Sequence, residues 1–421
     1  MFLTTSIALF SIIVSLSSAD DIDYSSYTLE VTNINNAFYS LPLKVGSNLQ
    51  TIQVSLSTYS PVTYFELANP CGRGFDSENS KSYSTNNTNI TVDYFKMNIS
   101  GVVSLDIIEI EDIEKLIKKE SFIASKNCSH MDGQTVGAIG LGLPSNSQVK
   151  PLFQQYYSYG IIYNPVFSLY LDSCEINNTC KNSRIIVGGW SLSDYAENPD
   201  QGFTYHSVPK GSNLWNLELN SIYIRNKKFQ FQNLVIIDIE YPGILMPQPY
   251  IGQIYNEINN SKTCFIGKDS IICDCTLADN FPDIIFSLDS TNYTLQQSSY
   301  VLNQSNKCYI LISESPSTYW LLGQLFVRNY YTIWNFGNNS IGIANLKTSK
   351  KQHNSKSDKI SEGWIIAISV ILSVLALGGV AGTYYIIHKR KKAKRQPSES
   401  RDSFVSTDEV IINPKYAKLL N

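Results

Sequence analysis

Two short stretches hold the side chains from which a reaction could be built. "IIDIEYPG", Ile236 to Gly243, sets Asp238 and Glu240 two residues apart, which turns both carboxylates to one side of an extended strand. A carboxyl pair can keep one proton between its members and serve as acid and base together, but only at about 3 Å separation, so these two would need a sharp bend to meet. "VSLSTYSP", Val54 to Pro61, has a similar outline with the hydroxyls of Ser57 and Thr58 in place of the acid. A hydroxyl can hold a water but does not ionise near neutrality, so Ser57 cannot stand in for a carboxylate. Other chemistries find little support: the chain has four histidines, no metal-ligand spacing and no phosphate-binding loop, so no cofactor is expected. A net charge of −3 gives no preference for a partner, and nothing points to nucleic acid.

The elements around these stretches repeat. The first is followed by the apolar-apolar-Gly triplet "AIG" ending at Gly140, 83 residues after Ser57; the second is followed by "LLG" ending at Gly323, 85 residues after Asp238. Between Tyr27 and Leu346 the texture is all-β: short runs such as "SLPLKV", "FSLYL", "RIIVGG" and "DIIFSL" alternate with Asn, Ser, Gly and Pro. Helical periodicity is scarce, with Asp112–Phe122 and Lys150–Gly160 the best candidates.

The chain resembles the pepsin-like aspartic proteases over nearly all of this region. "YWLLGQLFVRNYYTIWNFGNNSIGIAN", Tyr319 to Asn345, is similar to the family's C-terminal Trp-Ile-Leu-Gly-Asp-Val-Phe-hydrophobic-Arg stretch. "VGAIGLGLP" from Val136, "NPVFSLYL" from Asn164, "IIVGGWS" from Ile185, "LWNLELNSIYI" from Leu214 and "CTLADNFPDIIFSL" from Cys275 follow in family order. The resemblance implies an all-β fold of two lobes related by a pseudo-twofold axis, each giving one Asp-Thr-Gly loop to a cleft that takes peptide. Residue by residue, Ser57 falls on the first Asp, Thr58 on its Thr and Tyr59 on its Gly. Asp238 is the retained second Asp, with Ile239 and Glu240 in place of Thr and Gly. Tyr59 and Glu240 add bulk where the backbones approach, and Ile239 removes a hydroxyl that helps tie the loops. Tyr94 falls on the flap tyrosine, followed by Phe95, Lys96 and Met97 where the family has a Gly-rich tip. Gln324 and Asn335 replace two further family acids. The resemblance also frames Cys275–Cys308 as a disulfide. Cys264–Cys273, Cys71–Cys128 and Cys174–Cys180 are assigned by proximity or elimination from roughly a hundred connectivities.

Around this region the chain carries membrane-related signals. Residues 1–19 have an apolar run and small residues before Asp20, as a signal peptide does. Residues 363–387 form the expected transmembrane helix: Trp364 to Ile387 is 24 residues without charge, enough at ~1.5 Å each to cross a ~30 Å hydrocarbon layer. "HKRKKAKR" follows at once, so the chain is expected to be a single-pass type I protein. Its ectodomain would be extracellular or lumenal, at the plasma membrane or in the endosomal and vacuolar system. All eight cysteines and nine Asn-X-Ser/Thr acceptors (Asn86, Asn89, Asn98, Asn127, Asn177, Asn259, Asn292, Asn303 and Asn338) precede the span, where oxidation and glycosylation occur. The expected organisation is an N-terminal lobe over 20–200, a C-terminal lobe over 201–346, a polar stalk over 347–362 and a cytoplasmic tail over 388–421. In that tail Asn413, Pro414, Tyr416 and Leu419 overlap two tyrosine-based patterns similar to adaptor-binding sorting signals. The expected function is a non-catalytic homologue that binds a peptide or protein ligand. The alternatives are an atypical endopeptidase working through Asp238, and a glycosylated surface or adhesion protein.

Overall fold

The computed structural model describes residues 26–347, apart from 35, 37, 95–96, 111–117, 129–133, 145–147, 175–178, 259–263, 268–269, 276–280 and 305–306. The signal-peptide, stalk, transmembrane and tail readings therefore lie outside the described residues, among which no helix is long and apolar enough to cross a membrane.

The architecture is mostly β and consistent with the bilobal fold. The repeat seen in the sequence returns as a repeated pairing pattern. In the first half Gln50–Ser57 pairs in parallel with Gly137–Gly140, which pairs antiparallel with Tyr64–Glu66, itself parallel to Glu120–Ser125. In the second half Lys227–Ile237 pairs in parallel with Trp320–Leu322, which pairs antiparallel with Ile244–Met246, itself parallel to Ile312–Glu314. In each half the strand of the Gly triplet is laid between the two strands that flank the loop. This close crossing is why each triplet ends in glycine. A Cβ on Gly140 would stand 2.3 Å from the backbone of Pro61, and one on Gly323 would stand 2.2 Å from the carbonyl oxygen of Tyr241.

The largest sheet has 14 strands and does not stop at the end of the N-terminal half. Thr204–Ser207, Ser340–Asn345 and Tyr330–Asn335 continue it through Val166–Tyr170, so the last strands of the chain pair with residues far earlier in sequence. At this junction Phe167 stacks on Trp334 at 5.8 Å, and Trp215 meets Trp334 edge-on at 5.2 Å. These buried rings supply apolar area and fixed orientation at the place where the halves join. His206, also buried, lies between Asp289 at 2.8 Å and the Tyr293 hydroxyl at 2.5 Å, linking this sheet to a hairpin of the seven-stranded one.

Two local expectations change. Lys150–Gly160 does contain a helix, Leu152–Ser158, which starts after Pro151 and ends before Gly160 at φ +72°. Asp112–Phe122 is not one helix, because Glu120–Phe122 belong to the strand Glu120–Ser125 and residues 112–117 lie outside the described residues. Pairing with Met97–Asp106 overrides the helical spacing there. Gln248–Ile258 forms a helix that the periodicity reading overlooked; Ile251, Ile254 and Ile258 line its buried side. The four disulfides join Cys71 to Cys128, Cys174 to Cys180, Cys264 to Cys273 and Cys275 to Cys308.

Candidate active-site cleft

Ser57 ends its strand and is wholly buried. Its Oγ accepts the Ser60 N–H at 3.0 Å, and its carbonyl accepts the Leu141 N–H at 2.7 Å. The hydroxyl is thus used to close its own turn, much as a short polar side chain does at an ST-turn.

Thr58 and Asp238, 180 residues apart in sequence, meet across the halves. The Thr58 hydroxyl donates to Asp238 Oδ1 at 3.0 Å and accepts the Ile239 N–H at 3.0 Å. The expectation that Ile239 breaks the tie between the loops therefore needs correction: the half that depends on the threonine of the first loop persists, because it needs only a backbone N–H from position 239. The half that would need a hydroxyl at position 239 has no side chain to make it.

Asp238 does not lie in an extended strand. The strand ends at Ile237, and the chain bends so that the Glu240 N–H reaches Asp238 Oδ1 at 3.1 Å and the Tyr241 N–H reaches Oδ2 at 3.2 Å. The premise that Asp238 and Glu240 share a face of one strand is not met. Burial pushes the Asp238 carboxyl above its ordinary pKa, while the donors from Glu240, Thr58, Tyr241 and Ile239 oppose that rise. Gln324 Nε2 donates to the Ile239 carbonyl at 2.8 Å, so the amide at a family acid position braces the loop from behind.

Tyr59 is buried, Ile239 is buried and Glu240 is half-buried. Neither Tyr59 nor Glu240 has a positive φ, so side chains at these two glycine positions carry no left-handed backbone strain. The hairpin of Ser84–Tyr94 and Met97–Asp106 pairs Tyr94 with Met97; the Tyr94 side chain lies outside the described residues. Asn335 is half-buried, its side chain accepting the N–H groups of Gly337 and Asn338. Asn86, Asn89, Asn98, Asn127, Asn292, Asn303 and Asn338 are all exposed, while Asn177 and Asn259 lie outside the described residues.

The sequence that forms these paired loops matches, over residues 38–346, a family model described as eukaryotic aspartyl protease. The chain belongs to that family. Among its aspartyl protease relatives, vacuolar protease A of Aspergillus fumigatus is 26% identical over 77% of this chain and 83% of its own. Pepsin II-2/3 of Oryctolagus cuniculus is 26% identical over 75% and 83%, and renin of Echis ocellatus is 27% identical over 75% and 82%. Sequence matching placed Thr58 on the threonine of the first loop but missed the brace that Gln324 gives the Ile239 carbonyl, because Gln324 is an ordinary polar residue until the fold sets it there.

Proposed function

We infer that this chain is a non-catalytic, membrane-anchored aspartyl protease homologue that uses the cleft between its halves to hold a peptide or protein. The observation that carries the reading is Ser57. Peptide hydrolysis by the family's route needs one ionised and one protonated carboxyl facing a common water. Asp238 supplies one, and the residue at the corresponding place in the first loop is a buried serine whose oxygen is engaged in its own turn. Losing one member of such a unit costs on the order of 10⁴ to 10⁶ in turnover. Binding does not depend on the pair, and the framework that shapes the cleft is kept.

The test is incubation of the purified protein with a diverse peptide mixture from about pH 3 to 7, beside an Asp238→Ala control. Bound, uncleaved peptide is expected. Cleavage that disappears in the control would overturn the reading in favour of an endopeptidase working through Asp238 and Glu240. Neither binding nor cleavage would favour a glycosylated spacer, a reading supported by the seven exposed sequons.

An anchor at 363–387 with the basic run behind it would set the ectodomain on the lumenal or extracellular side. Tyr416 would then face cytoplasmic adaptors. Deleting residues 416–421 is expected to lengthen residence at the cell surface; unchanged residence would remove the sorting role.

A further inference from the structure

Pro242, on the loop that carries Asp238, forms part of the wall of a cavity of about 610 Å³, a size ordinary for small-ligand sites. Leu311, Leu325 and Leu346 add apolar wall, and Arg328 supplies a cation. Arg328 follows the short helix Gln324–Val327 and is half-buried. One of its Nη atoms donates to Asn36 Oδ1 at 2.8 Å, and the guanidinium also donates to the Tyr39 phenol, which burial keeps neutral. Both partners are uncharged. Among the described residues no carboxylate lies within 4.0 Å of Arg328.

A guanidinium has five N–H donors in a fixed fork that matches a carboxylate, and a partly buried one gains most from such a partner. Two neutral acceptors leave donors of that fork available at the cavity wall. The other charged group of the wall is Asp172. Its carboxylate accepts the Ser173 N–H at 2.8 Å and the Asn182 amide at 3.3 Å, and its negative charge disfavours a polyanion. One cation, one already engaged anion and several leucines describe a site for a single carboxylate on an apolar body.

We propose that this cavity binds a monocarboxylate with an apolar body, its carboxylate on Arg328 and its chain against Leu325, Leu311 and Leu346. The site shares Pro242 with the loop of Asp238 but does not rest on the cleft being a peptide binder. Peptide C-termini and fatty acids share this chemistry.

The test uses the detergent-solubilised full chain and calorimetry with three probes: N-acetyl-trileucine, its C-terminal amide, and octanoate. Binding of at least one acid is expected, with the amide at least tenfold weaker than the peptide acid if the peptide is the better ligand, and octanoate alone binding if a fatty acid is. Arg328→Gln should abolish acid binding. Ser298→Trp, at an exposed position of the wall, should block it without touching the guanidinium, which keeps the test decisive if Arg328→Gln fails to fold. No binding by either acid, equal affinity for peptide acid and amide, or acid binding unchanged in Ser298→Trp would overturn the proposal.

Discussion

Thr58 does with one hydroxyl what two loops need in order to meet. It donates a hydrogen bond to Asp238 and accepts one from the Ile239 N–H, so replacing it with valine leaves a buried carboxylate and a buried N–H each short of a partner. Thr58→Val is expected to lower stability by about 1–3 kcal/mol, read as a fall in the urea midpoint with an unchanged slope. Restoring the acid at the neighbouring position should have a pH-dependent cost. Ser57→Asp would set a second buried carboxyl near Asp238, whose pKa burial already raises. Both groups would be easiest to accommodate when protonated, so the variant should approach wild-type stability near pH 4 and lose most near pH 7. A variant as stable as wild type at pH 7 would show that the two positions do not face each other.

Within the N-terminal sheet, Asp106 and Glu120 are cross-strand partners and both are wholly buried. Asp106 Oδ1 accepts from Ser82 and the Ile107 N–H, and Glu120 Oε2 accepts the Ile108 N–H at 3.0 Å. Among the described residues, Asp106 Oδ2 and Glu120 Oε1 have no hydrogen-bond partner. Burial, with smaller contributions from Asp106 and Glu109, pushes the Glu120 carboxyl up to about 8, against the opposing Ile108 N–H. Folding therefore keeps a proton that the unfolded chain releases near pH 4.5. The sign follows: stability is greatest below that value and declines as pH rises towards 8, at a limiting slope of about 1.4 kcal/mol per pH unit. Glu120→Gln should flatten this dependence, measured by denaturant unfolding from pH 4 to 8. An equally steep decline in the variant would assign it to other groups.

For the molecule as a whole, the seven described sequons are exposed although they are scattered from Asn86 to Asn338 across both halves. Peptide mapping after glycosidase treatment in heavy-oxygen water is expected to find glycans on several of them. Carriage of glycans there would also establish that this region crosses into the secretory lumen; complete absence would oppose the type I orientation. Asn98 lies next to Met97 on the hairpin of Ser84–Tyr94 and Met97–Asp106.

How far these features could be read from the chain depends on their range. The repeat around Ser57 and Asp238 was legible because each copy is a local pattern: an apolar strand, a turn, and a glycine that a crossing backbone makes obligatory. Cysteines close in sequence, such as Cys174 and Cys180, found each other for a similar reason. The strand at Glu120–Ser125 was misread in part because its partners lie on Met97–Asp106 and Tyr64–Glu66, and pairing overrides local spacing. The helix Gln248–Ile258 was overlooked although Ile251, Ile254 and Ile258 carry a helical signal, because Pro249 and Gly252 argue locally against it.

From the resemblance of short motifs came the family, the expectation of paired loops and the reading of Ser57 at the first acid position, since each is a matter of which residue stands at which place. Folding added what depends on groups distant along the chain: Thr58 reaching Asp238, Gln324 bracing Ile239, the last strands entering the first sheet, and Arg328 facing a cavity among leucines. A hydrogen bond or a buried charge is a relation between two positions in space. Sequence order states only the partners' identities, and packing alone brings them within reach.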